Sequence, residues 1–318
     1  MAGNSFTVVT LHPSVDRTYQ VPNLHEPLVR GRQILAEPAG KGVNVARTLS
    51  RLGDRVTCIG FVGFDQAAFF RDALADEGVR TLFVTVQAPT RQNITLISLR
   101  SRKEMHVIDA PMRIEPKEAA DFRRHLADCA NAGGTIVFAG SLPRGIGVRQ
   151  FIQWLRLARK RGARLCVDTQ GTLLRATLST RPTLIKPNME ELSELVGKHL
   201  DSPEDATEAA AGLLGRCEQV LLSLGRDGAI LLTADGIWHA WEARPARPVS
   251  TVGCGDALLA GYLHADASGA KPSNALQFAV ACGSACARVA SACLPSADAA
   301  ARLLRGIRVR QVHPAPRS

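Results

Sequence analysis

Short apolar runs alternate with amphipathic segments along most of the 318-residue chain. The runs are rich in β-branched residues, as in residues 6–11 (FTVVTL) and 135–139 (TIVFA), and they are continuously apolar, which is typical of strands buried on both faces. Segments with apolar residues at helical spacing, such as residues 148–160, lie between these runs. The alternation predicts an α/β fold, with a mainly parallel sheet and helices on both of its faces.

Two pairs of segments depart from that pattern. Residues 17–21 and 30–36, and later residues 91–99 and 104–109, alternate polar with apolar side chains, as half-exposed strands do. We expect the four segments to form a small β lid, inserted at about residues 13–38 and 90–110. Because no linker or internal repeat interrupts the sequence, residues 1–318 are expected to form a single domain.

Composition argues against several classes of protein. No apolar run reaches the ~18 residues that a membrane span needs, and residues 1–11 lack the basic region of a secretory leader. A cytoplasmic protein is therefore expected. The net charge of +10, part of it in a basic tail at residues 302–318, would suit a nucleic-acid partner, but aromatic residues make up only 5% and no nucleic-acid-binding module is recognisable.

The cysteines of the sequence form no CxxC pair and no cluster at zinc-binding spacing. Since they are scattered through apolar segments, we expect them to be reduced and mostly buried. They are Cys58, Cys129, Cys166, Cys217, Cys254, Cys282, Cys286 and Cys293.

One stretch, VSTVGCGDALLAGY at residues 249–262, combines a glycine turn with the start of a helix. Gly253, Cys254 and Gly255 lead into Asp256, and apolar residues then recur at helical spacing. The first N–H groups of a helix have no internal partners and favour an anion. Asp256 is therefore a candidate general base beside an oxyanion hole for phosphoryl transfer. The alternative is a plain aspartate N-cap after a glycine turn.

Three further loops follow predicted strands and should meet this turn in one crevice at the carboxyl edge of the sheet: residues 140–144, 186–188 and 223–225. Asn188 and Glu191, spaced N-x-x-E at a helix start, are candidates for holding a hydrated Mg²⁺ near phosphates. A helix cap with a first-turn glutamate is the alternative. Lys41 lacks the context of a Walker A loop, and the sequence contains neither HRD nor DFG, so P-loop and protein-kinase schemes fit poorly.

Five motifs, in order along nearly the whole chain, resemble those of phosphofructokinase-B family carbohydrate kinases of the ribokinase-like superfamily. The nearest branch is that of 1-phosphofructokinase and tagatose-6-phosphate kinase. TLHPSVDRTYQV resembles its TLNPxxDxxxxV, EPAGKGVNVARTLSRLG its GGKGxNVAxxLxxLG, and STVGCGDALLAGY the family's (D/N)(T/S)xGAGDxxxAG(F/Y). KPNMEEL and LSLGRDGA match the KPNxxEL and (T/S)LGxxGA blocks. The resemblance implies a ribokinase-like fold.

The resemblance also implies roles for individual residues. It makes Asp256 the catalytic base, with an anion hole formed by Gly253, Cys254 and Gly255. The sugar hydroxyls would be held by Asp16, Gly40, Lys41 and Asn44, and the phosphate already on the substrate by Arg30, Arg91, Asn93, Ser141 and Arg144. ATP would be bound by Lys186, Asn188, Ser223 and Gly225, with Gly283 near the adenine and Glu191 at the Mg²⁺.

The implied activity is the ATP- and Mg²⁺-dependent phosphorylation of a ketohexose monophosphate to the bisphosphate. The candidate substrates are fructose 1-phosphate, fructose 6-phosphate and tagatose 6-phosphate. A kinase for an unphosphorylated sugar or nucleoside is the alternative, although it would leave Arg30, Arg91 and Arg144 without an anion. A more remote alternative is a non-catalytic sugar-phosphate sensor that binds nucleic acid through its basic tail. In this family the lid often pairs two subunits, which implies a homodimer.

The chain departs from the family pattern at four positions. His12 replaces the usual Asn, Ala39 the first Gly of the GGKG block, Ser250 the usual Asp or Asn, and Cys254 the common Ala. His12 and Ala39 fall on the sugar side, so they bear on substrate identity more than on catalysis. His12 is open to two interpretations, as a buried histidine or as a substrate contact.

Overall fold

The structure is a computed structural model that describes residues 4–25, 28–101, 103–289 and 296–313. Its strands are β1 (Ser5–Thr10), β2 (Ser14–Val21), β3 (Arg32–Ala39), β4 (Arg55–Gly63), β5 (Val79–Val86), β6 (Gln92–Ser98), β7 (Glu104–Ile108), β8 (Thr135–Ala139), β9 (Arg164–Asp168), β10 (Leu184–Ile185), β11 (Gln219–Ser223), β12 (Ala229–Thr233), β13 (Gly236–Glu242) and β14 (Ile307–His313). Its helices are α1 (Lys41–Arg51), α2 (Ala67–Asp76), α3 (Pro116–Cys129), α4 (Val148–Lys160), α5 (Gly171–Thr177), α6 (Met189–Val196), α7 (Pro203–Ala211), α8 (Cys254–Ala267), α9 (Pro272–Cys286) and α10 (Ala297–Leu304). In this described part of the chain, no helix is long and apolar enough to cross a membrane.

The main sheet has the strand order β14-β13-β12-β11-β10-β9-β8-β1-β4-β5. The strands from β11 to β5 run parallel to one another. β12, β13 and β14 add an antiparallel edge. The mainly parallel sheet that the βα alternation predicts is therefore confirmed.

Alternate residues along β1 pack on opposite faces of this sheet. Phe6 and Val8 belong to a core cluster that includes residues of α1, α8 and α9. Val9 belongs to a second cluster, built with residues of α3 and α4. Because successive side chains of a strand point to opposite faces, helices cover both faces of the sheet, as expected.

A smaller sheet with the order β3-β2-β6-β7 forms the lid. β2 pairs antiparallel with β3 and parallel with β6, and β7 closes the other edge antiparallel. The four lid strands predicted from polar alternation are thus confirmed, while the single-domain assignment stays a prediction. A buried ion pair ties the lid to the main body, since Arg47 of α1 lies 3.1 Å from Glu37 of β3.

Three features differ from the sequence-based expectations. α5 was not predicted, because residues 171–177 (GTLLRAT) are too few to show a helical period. α9 ends at Cys286, whereas the sequence predicts a helix that continues to residue 292. Residues 290–295, with Cys293, and residues 314–318, with Arg317, lie outside the described residues.

The third difference is at the C-terminus. β14 pairs with β13 at the edge of the main sheet, so the interpretation of residues 302–318 as a basic tail is wrong for residues 307–313. The sequence IRVRQVH alternates apolar with polar side chains, which is the pattern of a half-buried strand. Ile307 is 2% exposed and belongs to the core, and Arg308 beside it is exposed.

Candidate active site

A cavity of about 640 Å³ opens between the lid and the carboxyl edge of the parallel strands. Loops after β10 and β11 meet the N-terminus of α8 on its wall, so the predicted crevice forms from three of the four loops. The predicted site residues on the wall are Asp16, Gly40, Lys41, Asn44, Arg91, Asn93, Lys186, Asn188, Glu191, Ser223, Gly225, Gly253, Cys254, Gly255, Asp256 and Gly283.

Asp256 lies in the first turn of α8 and is only 6% exposed. Asn44 Nδ2, from α1, donates a hydrogen bond of 2.8 Å to Asp256 Oδ2. Burial raises the pKa of Asp256 to about 7, and the nearby carboxylate of Asp168 adds to the shift. A carboxyl group with this pKa is suited to accept a proton near neutral pH. Because Gly253 occupies the N-cap position, the interpretation of Asp256 as a plain N-cap is wrong.

The glycine turn before Asp256 brings backbone close to positive charge. Gly253 has a φ of 76°, in the left-handed region that favours glycine. At Gly255, an added Cβ would lie 3.5 Å from Lys186 Nζ, so the turn passes directly against an ammonium group. An anion at this helix start would meet both the N–H groups of α8 and the charge of Lys186.

Asp168, which was not among the predicted site residues, links the two lysines of the cavity. It ends β9, is 0% exposed, and its carboxylate oxygens lie 3.0 Å from Lys41 Nζ and 3.3 Å from Lys186 Nζ. Burial by itself would lower the pKa of Lys41, but Asp168 and Glu191 together raise it above its usual value. Lys41 is therefore charged. A carboxylate at the carboxyl end of a buried strand was the available signal.

Asn188 and Glu191 form a capping box at the start of α6. Asn188 Oδ1 accepts a 2.8 Å hydrogen bond from the Glu191 N–H, and Glu191 Oε2 accepts one of 2.9 Å from the Asn188 N–H. The capping interpretation is thus confirmed. Glu191 Oε1 remains on the cavity side, 3.7 Å from Lys41 Nζ, and its role at a metal stays a prediction.

No group of three or more His, Cys, Asp or Glu side chains that could hold a metal occurs among the residues described. A divalent ion in this cavity would therefore need oxygen ligands from elsewhere. Mg²⁺ accepts such an arrangement, because it is usually bound through one or two carboxylates, several waters and the phosphates of a nucleotide.

The lid contributes a small polar cluster to the cavity wall. Asp16 Oδ1 accepts hydrogen bonds from Ser14 Oγ at 2.9 Å and from Asn93 Nδ2 at 2.8 Å. The Oδ1 atoms of Asn93 and Asn44 are buried and have no hydrogen-bond partner within the described residues. Because a buried acceptor without a partner is costly, a ligand hydroxyl that donates to either atom would be favoured.

Arg91 and His12 connect the lid to the end of β1. Arg91 donates hydrogen bonds to the carbonyl oxygens of Pro13, at 3.3 Å, and His12, at 3.2 Å. His12 Nδ1 lies 3.0 Å from Ser141 Oγ. Burial, with a contribution from Arg91, lowers the pKa of His12 to about 4, so the ring is neutral at pH 7. His12 is a buried histidine and does not lie on the cavity wall.

Three predicted site residues are not brought to the cavity wall: Arg30, Ser141 and Arg144. All three are exposed. Their contact with a substrate phosphate stays a prediction.

The wall away from the lid includes several residues that sequence reasoning missed, among them Arg226, Glu242, Pro245, Val252, Ser284 and Arg288. Glu242 and Arg288 form an ion pair. The Val249 N–H donates a 2.8 Å hydrogen bond to Ala287 O, which ties the loop after β13 to the end of α9. Arg226 and Val252 carried a signal, because they lie inside the LSLGRDGA and STVGCGDALLAGY motifs.

Comparison with known proteins identifies the family to which the chain belongs. The sequence matches the family described as pfkB family carbohydrate kinase over residues 9–299. The chain is a pfkB family carbohydrate kinase. Among the relatives of this pfkB kinase, the 1-phosphofructokinase of Haloferax volcanii is 35% identical over 297 residues, which cover 91% of this chain and 93% of the relative. The ATP-dependent 6-phosphofructokinase isozyme 2 of Escherichia coli is 31% identical over 281 residues, covering 87% and 90%.

Solved structures agree with this assignment. Phosphofructokinase-2 from Escherichia coli, in complex with substrates and products, matches the pfkB kinase with a TM-score of 0.87 and 30% identity, over 95% of this chain and 98% of that one. The expected ribokinase-like fold is therefore confirmed. In this pfkB kinase, a carboxyl group that can take a proton faces two ammonium groups and a helix N-terminus, a combination suited to moving an anionic group onto a hydroxyl.

Proposed function

We propose that this chain is an ATP-dependent kinase that phosphorylates a ketohexose monophosphate to the bisphosphate. The observation that carries the proposal is the placement of Asp256, a buried carboxyl group with a pKa of about 7 at the N-terminus of α8. Family membership and the names of relatives, 1-phosphofructokinase and 6-phosphofructokinase isozyme 2, support the substrate class.

Asp256 accepts the proton of the acceptor hydroxyl as the γ-phosphoryl group is transferred. Asn44 fixes the carboxylate through its 2.8 Å hydrogen bond to Oδ2, and its own unpartnered Oδ1 can accept from a sugar hydroxyl. Lys41, Lys186 and the first N–H groups of α8 stabilise the negative charge that develops on the phosphoryl oxygens. These groups are already held in place, Lys41 and Lys186 by Asp168, so little reorganisation is needed.

The donor set of the cavity fits Mg²⁺. Glu191 offers one carboxylate oxygen to the cavity, within the one or two carboxylates that Mg²⁺ commonly takes, with waters and nucleotide phosphates as its other ligands. When bound, the ion would neutralise phosphate charge of ATP. Glu191 would keep Oε2 in the capping box and offer Oε1, so metal binding and helix capping are compatible.

Fructose 1-phosphate, fructose 6-phosphate and tagatose 6-phosphate are the candidate acceptors. Fructose 1-phosphate comes first, because a relative named 1-phosphofructokinase is 35% identical to this chain over 91% of its length. The test is to measure kcat/KM with ATP and Mg²⁺ for each of the three, for free fructose and ribose, and for a nucleoside. The proposal expects one ketohexose monophosphate to be used best, and preference for a neutral acceptor would overturn it.

A kinase for an unphosphorylated sugar or nucleoside remains the second candidate. It is favoured by one observation, that Arg30 and Arg144 are exposed away from the cavity wall and only Arg91 of the basic set lies on it. The same panel of acceptors separates the two candidates.

The lid also offers a surface for a second copy of the chain. Every residue of β7 is exposed. Met105 and Val107 are 45% and 50% exposed, and because they occupy alternate positions of the strand they share one face of the lid. An apolar patch of this kind often marks an interface. We propose a homodimer through the lid, which predicts that Val107→Glu shifts the protein to a monomer in sedimentation experiments. An unchanged mass would contradict it.

A further inference from the structure

Two thiols meet beside the catalytic turn. Cys254 is the first residue of α8 and lies on the cavity wall, and Cys286 is the last residue of α9. Cys254 Sγ donates to Ser250 O at 3.7 Å, and Cys286 Sγ donates to Val252 O at 3.7 Å. Both sulfur atoms therefore contact the same short loop, two residues apart.

The backbones of the two helices are also close at this point. A Cβ at Gly283, three residues before Cys286, would lie 3.4 Å from Cys254 O. The Cys254 and Cys286 side chains are in hydrogen-bonding contact with each other, and this contact lowers the pKa of Cys254. A thiol with a lowered pKa is more readily ionised and more reactive.

Other cysteines in the described part of the chain have a pKa that is raised rather than lowered. Burial raises the pKa of Cys58, Cys166, Cys217 and Cys282, and also that of the half-buried Cys129. Thiols of this kind are inert toward oxidants. Reactivity is thus concentrated at Cys254, where the family commonly has alanine, a residue that could not react.

We propose that Cys254 and Cys286 are an oxidisable dithiol, and that their disulfide switches off the catalytic turn. A hydroperoxide reaching the cavity transfers one oxygen atom to the Cys254 thiolate, which gives a sulfenic acid and releases an alcohol, or water from hydrogen peroxide, after taking up a proton. The Cys286 thiol then attacks that sulfur, and the S–S bond forms as water leaves. A dithiol reductant reverses the reaction by thiol–disulfide exchange.

The disulfide acts on catalysis through geometry. An S–S bond of about 2.05 Å is much shorter than a hydrogen-bonding contact between two sulfur atoms, so its formation draws Cys254 toward α9. Cys254 precedes Gly255 and Asp256 directly, and a shift of about 1 Å in a catalytic group can lower turnover by about 10²-fold. The reduced thiols leave the turn in its catalytic position.

Treatment of the full-length protein with hydrogen peroxide tests this inference. The expected result is a peptide pair joined through Cys254 and Cys286 in the non-reducing mass spectrum, with loss of two titratable thiols. Turnover should fall by about 10²-fold and return with dithiothreitol. The matched control is Cys129→Ser, which removes a half-buried thiol elsewhere and should behave like the wild type.

Cys286→Ser should give no linked peptide under the same treatment. Absence of the linked peptide in the wild type would overturn the inference, and so would a linked protein that keeps full turnover. If Cys286→Ser fails to fold, the peptide map of the oxidised wild type still shows whether Cys254 and Cys286 form a disulfide. The map does not use activity, so a wrong assignment of the sugar substrate would leave the thiol chemistry testable.

Discussion

At the scale of single residues, the site depends on how a carboxyl group is kept basic at neutral pH. Burial raises the pKa of Asp256 to about 7, with Asp168 acting in the same direction. Asn44, Lys186 and Lys41 act in the opposite direction. The balance leaves a carboxylate that is present at pH 7 to 8 and still has a useful affinity for a proton.

Asp256→Asn should remove the base while keeping the hydrogen bond from Asn44, because the amide oxygen can still accept it. We expect turnover to fall by ~10²- to 10⁴-fold, the range for loss of a general base. Because the pKa of Asp256 is raised in the folded protein, stability is lost as the pH rises through about 7 and the carboxyl group ionises. The uncharged asparagine does not carry this cost, so the melting temperature of the variant at pH 8 should be no lower than that of the wild type. Steady-state kinetics and calorimetry measure both effects, and near-normal turnover would remove Asp256 from its role.

The pH dependence of kcat/KM reports the ionisation of Asp256. Asp256 must be unprotonated to accept a proton, so kcat/KM should fall as the pH decreases through about 7. Asn44→Ala removes a hydrogen bond that lowers the pKa of Asp256, so the acidic limb should move to higher pH. A limb that does not move in this variant would show that another group controls it. Ser50→Ala, in the last turn of the same helix, removes a hydrogen bond to Glu77 O instead and serves as the control.

At the scale of secondary-structure elements, periodicity predicted most of the fold. The bounds of α4, α6 and β9 follow from it directly, because each has a clear apolar pattern with start and stop signals. Asp168 was missed because its signal, a carboxylate at the carboxyl end of a buried strand, is weak when many strands end in a polar residue. Its importance comes from Lys41 and Lys186, which reach it from distant parts of the chain.

The contribution of β14 to the core can be measured with a pair of neighbouring substitutions. Ile307 is 2% exposed, so Ile307→Ala should lower the free energy of unfolding by ~2 to 5 kcal/mol. Arg308 is exposed, and Arg308→Ala should change it by less than about 0.5 kcal/mol. Neither residue lies on the cavity wall, so kcat of the folded protein should be unchanged in both variants. Equal stability of the two variants in urea unfolding would contradict the edge-strand assignment.

At the scale of the whole molecule, function depends on how the lid meets the main sheet. Asp16 and Asn93 come from lid strands, whereas Asp256, Lys186 and Asn188 come from the main body. The two groups share one cavity, so a substrate that spans it contacts both the lid and the main body. Arg30 and Arg144 are exposed and do not lie on this wall, so their contact with the substrate phosphate stays a prediction.

Of the arginines predicted to bind the substrate phosphate, Arg91 lies on the cavity wall, anchored to the carbonyl oxygens of His12 and Pro13. Burial lowers its pKa, a cost that an anionic ligand would offset. A charge-assisted hydrogen bond from arginine to phosphate contributes roughly 1.5 to 3 kcal/mol, or about one to two decades in binding. Because the substrate phosphate is remote from the reacting hydroxyl, part of this energy can drive closure of the lid and so raise kcat.

The best ketohexose monophosphate should therefore have a much higher kcat/KM than free fructose. Arg91→Ala should reduce the ratio of the two kcat/KM values by roughly 10- to 100-fold, mainly by lowering kcat/KM for the phosphorylated substrate. Arg124→Ala, a substitution on the exposed surface of α3, should leave the gap unchanged. If wild-type kcat/KM were similar for fructose and for every monophosphate, the cavity would be that of a kinase for free sugars. Arg91 would then act only as a structural link between the lid and the end of β1.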